Sequence, residues 1–80
     1  MVNIHTAPTA LYRLFDTEGR LLYVGITNMP NVRFDAHRMK AWWKQVARRE
    51  LVWFDNRQEA GWAEVRAIRA ERPMHNRMHA

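Results

Sequence analysis

The sequence contains no cysteine, which excludes disulfides and thiolate metal sites and suits a reducing compartment. It also lacks any run approaching the ~20 apolar residues that a membrane-spanning helix needs. The opening MVNIHTAPTA has neither the basic nor the apolar region of a signal peptide. A cytoplasmic protein with no membrane partner is therefore expected. No repeat, low-complexity tract or linker breaks the chain. Glycine and proline are scarce, at three each. Acids are outnumbered: eight Asp and Glu against thirteen Lys and Arg leave a net charge of +5. Such a surplus on 80 residues favours a polyanionic partner, of which nucleic acid is the commonest. What is present is apolar: 48% of residues, with four tryptophans, argues for a packed globule over a disordered tail.

The length fits one domain over residues 1–80, with 1–8 as a loose lead and 74–80 as a tail. Ala10–Phe15 (ALYRLF) and Leu21–Ile26 (LLYVGI) are rich in strand formers. Between them DTEGR carries turn chemistry, with Asp16 opening and Gly19 able to take positive φ, so a β-hairpin is expected. Thr27–Pro30 breaks the strand, and Asn28 or Asn31 can cap a helix over Val32–Met39. A short helical piece holds Trp42, Trp43 and Val46, and Arg49–Asp55 reads as a third strand. A last helix begins at Asn56 and Glu59, which have capping-box spacing, and stops at Pro73. The order β-β-α-(α)-β-α predicts an α+β domain, a small three-stranded antiparallel sheet flanked by helices.

Several residues stand out against this frame. On the last helix Glu64 shares a face with Ala60, Ala67 and Ile68, the face that should pack inward. An ionised carboxylate there needs a compensating partner or metal. Arg33 and His37 are four apart and project from one helical face. Tyr12 and Tyr23 lie on neighbouring strands. A two-residue turn at Thr17 and Glu18 would set them directly opposite, and a bulge at Gly19 would put them on opposite faces. Gly25 near a strand end invites close approach of another group to the backbone. Trp42 and Trp43 beside Lys40 and Lys44 suit stacking on bases, although adjacent helical positions diverge and one of the pair should be core. His75 and His79 have no acidic or cysteine partner at zinc spacing, which argues against a structural zinc site.

The ordered series Ala10-Leu11-Tyr12, Tyr23-Val24-Gly25, Arg33 with His37, Glu64 and Asn76 resembles the GIY-YIG nuclease domain, from Ala10 to Asn76. The departures are Ala10, Leu11 and Val24 in the two tripeptides, and Ile26 where some members carry a basic residue. The resemblance implies a metal-dependent endonuclease cutting DNA. Its catalytic residues would be Tyr12, Tyr23, Arg33, His37, Glu64 and Asn76, with Glu64 holding Mg²⁺ or Mn²⁺ and no other small-molecule cofactor. Arg33 would clamp the phosphate and Tyr12 would take the proton of the attacking water, with His37, near a pKa of about 6.5, accepting or orienting that proton. Asn76 would orient by hydrogen bonding. Gly25, Arg33, Arg38, Lys40 and Lys44 would meet the nucleic acid. With no separate DNA-binding domain, specificity is expected to come from the catalytic domain itself, a homodimer or another protein. The alternative is a catalytically silent nucleic-acid-binding or adaptor module on the same fold.

Overall fold

The structure, a computed structural model, describes residues 7–76. The lead at 1–6 and the tail at 77–80, including His79, lie outside the described residues. Strands β1 (Thr9–Phe15) and β2 (Leu21–Thr27) are followed by helix α1 (Pro30–His37) and a 3₁₀ helix (Ala41–Gln45). Strand β3 (Arg48–Phe54) and helix α2 (Arg57–Glu71) complete the chain. The sheet is antiparallel with order β2-β1-β3, which makes β1 the central strand. This is the expected three-stranded α+β domain.

The hairpin turn works as its residues require. Gly19 takes φ 80°, the left-handed region open to glycine, and its N–H bonds the Asp16 carbonyl at 3.1 Å. The Asp16 carboxylate accepts from the N–H groups of Glu18 and Arg20 and from the Arg20 side chain. The pairing differs from both expected alternatives. Tyr12 stands opposite Gly25 and Leu14 opposite Tyr23, with the irregularity between Leu14 and Phe15 and not at Gly19. The offset is two residues from the directly opposed pairing, so the tyrosines stay on one face as diagonal neighbours.

That register sorts the strands into two faces. Leu11 and Val24 point to α2, where Ala63, Ala67 and Ile68 pack on them. Three buried alanines, Ala60, Ala63 and Ala67, let the helix lie close to the sheet. Tyr12 and Leu14 point the other way, against Phe34 of α1, with Tyr23, Trp42, Trp43 and Val46 around them. Each fully buried leucine or valine contributes about 1.5–3 kcal/mol, so Leu14, Leu22 and Val24 anchor β1 and β2 on both sides.

The helix ends show where local chemistry decides. In α2 the Asn56 side chain accepts from the Glu59 N–H at 2.9 Å, the expected cap, and Arg72 closes the helix in the left-handed region just before Pro73. In α1 the expected asparagine cap is absent. Met29 is the N-cap without a side-chain bond, and Pro30 starts the helix, because its fixed φ and missing N–H suit the first turn. Residues 74–76 are not part of a tail. The N–H groups of Met74 and His75 bond the carbonyls of Leu21 and Leu22, at 3.1 and 2.8 Å, so this segment runs along the outer edge of β2.

Candidate active site

Tyr12 is the centre of the site. It sits in the central strand with no exposed surface, its ring edge-on to Phe34 at 5.3 Å. Its hydroxyl lies over Gly25, in space that a side chain would fill. A Cβ built there would meet Tyr12 Cζ at 2.6 Å and Cε2 at 2.9 Å, with Oη nearer still. The close approach expected at Gly25 is thus made by Tyr12 itself, and Gly25 is buried. The direct consequence of the register is this pairing: because Tyr12 faces Gly25, the phenol can lie across the neighbouring strand toward α1.

From α1, two side chains meet that hydroxyl. His37 Nε2 is 2.7 Å from Tyr12 Oη, and Arg33 Nε donates to the same oxygen at 3.4 Å. The one-turn spacing read from the sequence therefore converges on one atom. Burial, above all, pushes the Tyr12 phenol up to about 12, with Tyr23 and Glu64 adding in the same direction and Arg33 opposing. Burial also pulls His37 down to about 4, helped by the charges of Arg33 and Lys40. The unperturbed value of about 6.5 expected for His37 is corrected by this environment. At neutral pH the pair is therefore a neutral imidazole on a neutral phenol.

Tyr23 belongs to the same aromatic cluster. Its ring is 4.8 Å from His37 and stacks on Trp42 at 5.4 Å. Trp42 in turn lies parallel to His75 at 5.1 Å, and Trp43 packs against Phe34 and His37. Both tryptophans are half-buried members of the cluster: packing against Tyr23, His37 and His75 engages Trp42, and packing against Phe34 and His37 engages Trp43. A 3₁₀ helix turns adjacent side chains by about 120°, so the two indoles reach different parts of one cluster.

A cleft of about 390 Å³ opens beside this cluster, lined by Tyr23, Arg33, His37, Lys40, Trp42, His75 and Asn76. Two cations, Arg33 and Lys40, give it a positive wall. Asn76 lines the cleft with its amide tied to the backbone: its Oδ1 accepts from the Val24 N–H at 2.9 Å and its Nδ2 donates to the Val24 carbonyl at 2.8 Å. It copies a strand residue and holds the cleft wall to β2. His75, read from sequence as part of a tail, lines the cleft; its adjacency to Asn76 was the sole signal of that. Its Nε2 is buried without a partner among the described residues.

Glu64 is half-buried on α2, on the face it shares with Ala60, Ala67 and Ile68, and close enough for its charge to act on Tyr12. It does not line the cleft beside Arg33. Arg38 and Lys44 are exposed, Arg38 within 3.8 Å of Asp35, and neither lines that cleft. Among the described residues no three His, Cys, Asp or Glu side chains converge as a metal-ligating group. No helix is long and apolar enough to cross a membrane among those residues.

The sequence matches the family model of the GIY-YIG catalytic domain over residues 8–77, nearly the whole chain. A search of curated proteins found no match. With Tyr12, Gly25, Arg33 and His37 meeting at one hydroxyl, and with the family match spanning the fold that brings them there, this chain belongs to the GIY-YIG family, whose members are generally endonucleases.

Proposed function

We propose that the protein is a Mg²⁺- or Mn²⁺-dependent endonuclease that hydrolyses DNA phosphodiester bonds. The observation that carries this reading is the Tyr12 hydroxyl, held over Gly25 and touched by His37 and Arg33. A buried phenol hydrogen-bonded to a neutral imidazole suits proton transfer, which a binding module does not need.

The residues divide the work as follows. A phenol near 12 is a poor base by itself, since little phenolate exists at neutral pH. With the His37 proton on Nδ1, however, Nε2 accepts from Tyr12 Oη. In the proposed step Arg33 moves from the buried hydroxyl onto the phosphate and admits water to it; the Tyr12 oxygen then takes a proton from the attacking water while its own proton passes to His37 Nε2, so no free phenolate forms. His37 starts as a weak base chiefly because it is buried, with the charges of Arg33 and Lys40 adding to the effect. A phosphodiester bound at those two cations offsets their charge and strengthens His37 as acceptor at the moment it is needed. The planar Arg33 fork matches two phosphate oxygens and holds the phosphorus near the water.

Glu64 fits a hard divalent ion that keeps several waters and takes one or two carboxylates plus substrate oxygens. When bound, such an ion supplies Lewis-acid stabilisation of the charge that builds on the phosphorane and the leaving oxygen. The test is incubation with supercoiled plasmid in Mg²⁺, in Mn²⁺ and in chelator, for wild type and Glu64→Gln. Nicking or linearisation by wild type in metal alone is expected. Full cutting in chelator, or by Glu64→Gln at the wild-type rate, overturns the metal assignment. Binding without cutting in any metal would leave a silent module.

A further inference from the structure

Strand β3 is the outer strand of the sheet on the side away from β2, and its free edge has no strand partner among the described residues. Its exposure does not fit its composition. Six of its seven residues are exposed, including Leu51, Val52 and Trp53 at 38%, 49% and 53%. Pairing with β1 places Arg49, Leu51 and Trp53 on the Tyr12 face, and Arg48, Glu50, Val52 and Phe54 on the α2 face. On that second face a groove of about 390 Å³ runs between Val52, Phe54 and the Ala63–Ala67 stretch of α2. Open backbone groups along one edge, with apolar side chains above and below it, suit another β-strand better than a polyanion.

We propose that the occupant is β3 of a second copy of this chain, paired antiparallel about a two-fold axis at Leu51. The strand runs from Arg48 to Phe54, so Leu51 is its midpoint and this register alone pairs all seven residues. In it Leu51 meets Leu51, Arg49 meets Trp53, Arg48 meets Phe54 and Glu50 meets Val52. Each cation lies across from an aromatic ring, and no like charges are opposed. Ala10, the small residue opposite Trp53 in β1, leaves that indole open to the incoming arginine. A register centred on Glu50 or Arg49 would instead oppose identical charges on the axis. The charged half of β3 therefore selects the register as well as discouraging promiscuous pairing.

The pairing joins two sheets into one of six strands. Residues directly opposite in antiparallel strands share a face, so both Tyr12 faces open on the same side. Tyr12 is itself opposite Leu51 in β1, and three strand spacings put the two Tyr12 backbones about 14 Å apart. Resting on the nuclease reading, this arrangement offers one site to each strand of a duplex, whose own two-fold symmetry it matches.

The interface is small, below the ~1,200 Å² of stable complexes, so association in the micromolar range or weaker is expected. Sedimentation of the intact chain should show a concentration-dependent monomer–dimer equilibrium, lost in Leu51→Lys with an unchanged circular dichroism spectrum. Register is read by cross-linking, since the chain has no cysteine of its own. Leu51→Cys should form a disulfide dimer under mild oxidation, because facing residues come within about 4.5–5.5 Å. Glu50→Cys and Val52→Cys should each fail alone and cross-link when mixed. A monomer at every concentration, or equal cross-linking at all three positions, overturns the proposal whether or not the protein cuts DNA.

Discussion

Replacing Gly25 by alanine is the sharpest probe of how the site is built. The added methyl falls on the Tyr12 phenol, reaching Cζ at 2.6 Å and Cε2 at 2.9 Å. The ring cannot step aside easily, since it is fully buried, packed on Phe34 and tied to His37 at 2.7 Å. Overpacking of this kind destabilises by about 1–3 kcal/mol. The smaller unfolded-state entropy of alanine returns about 0.4–1 kcal/mol. The net is a loss of about 1–2 kcal/mol, or a melting temperature lower by roughly 5–15 °C for a domain of this size. Relief by a ring shift of about 1 Å would draw Oη away from His37 and Arg33, at a rate cost of about 10²-fold. Gly61 is the matched control: a Cβ there meets nothing within 4 Å, and it lies inside α2. Gly61→Ala should raise stability by up to about 1 kcal/mol and leave cleavage unchanged. Thermal melts and plasmid cleavage on both variants give the comparison. If Gly25→Ala melts and cuts like wild type, Tyr12 is not seated over Gly25, and the proposed proton path has lost its geometry.

Binding and chemistry should separate at two neighbours of one atom. Arg33→Ala is expected to weaken both duplex affinity and rate, because a phosphate clamp acts in ground and transition states. Tyr12→Phe should lower the rate by about 10²-fold or more while affinity holds, at about 1–3 kcal/mol of stability for leaving His37 Nε2 unpaired; equal affinity losses in the two variants would refute the assignment. His37 also predicts a pH effect that needs no substrate. Its folded value near 4 lies below the usual 6.5, so the unfolded chain binds the extra proton, and stability present above pH 6.5 is lost as pH falls toward 4. At about 1.36 kcal/mol per unit the loss is about 3 kcal/mol. Melts of wild type and His37→Gln across that window should diverge by this slope. The acid losses of Asp16 and Glu71, held low by the Arg20 backbone N–H and the Arg13 side chain, are common to both proteins.

What could be read from the sequence was whatever local chemistry controls. Gly19 announced the hairpin, Asn56 with Glu59 the start of α2, and Pro73 its end. The pair Arg33 and His37 announced a shared face, and helical geometry alone made them converge. Apart from the α1 cap, the misreadings share a physical origin in contacts distant along the chain. The irregularity at Leu14 and Phe15, which pairs Tyr12 with Gly25, depends on how β1 packs on both sides and leaves no local mark. Asn28 and Asn31 are good caps, but Pro30 between them is better suited to the first helical turn and displaced both. Segment 74–76 looked like a tail because nothing nearby holds it. Its partner, Val24, lies 52 residues away from Asn76. The depression of His37 likewise comes from burial that no spacing rule reports.

The strap that Met74–Asn76 lays along β2 also fixes how many neighbours the sheet can recruit. Backbone groups of Leu21, Leu22 and Val24 on that side are already engaged, two of the four bonds coming from a side chain that imitates a peptide unit. A three-stranded sheet with both margins open would be divalent, and divalent units that pair edge to edge grow into ribbons without limit. Closing one margin lowers the valence to one. With β3 paired as proposed, such a unit satisfies a single neighbour and then has nothing left to offer, so Asn76→Ala should turn that self-limiting particle into one that polymerises at high concentration.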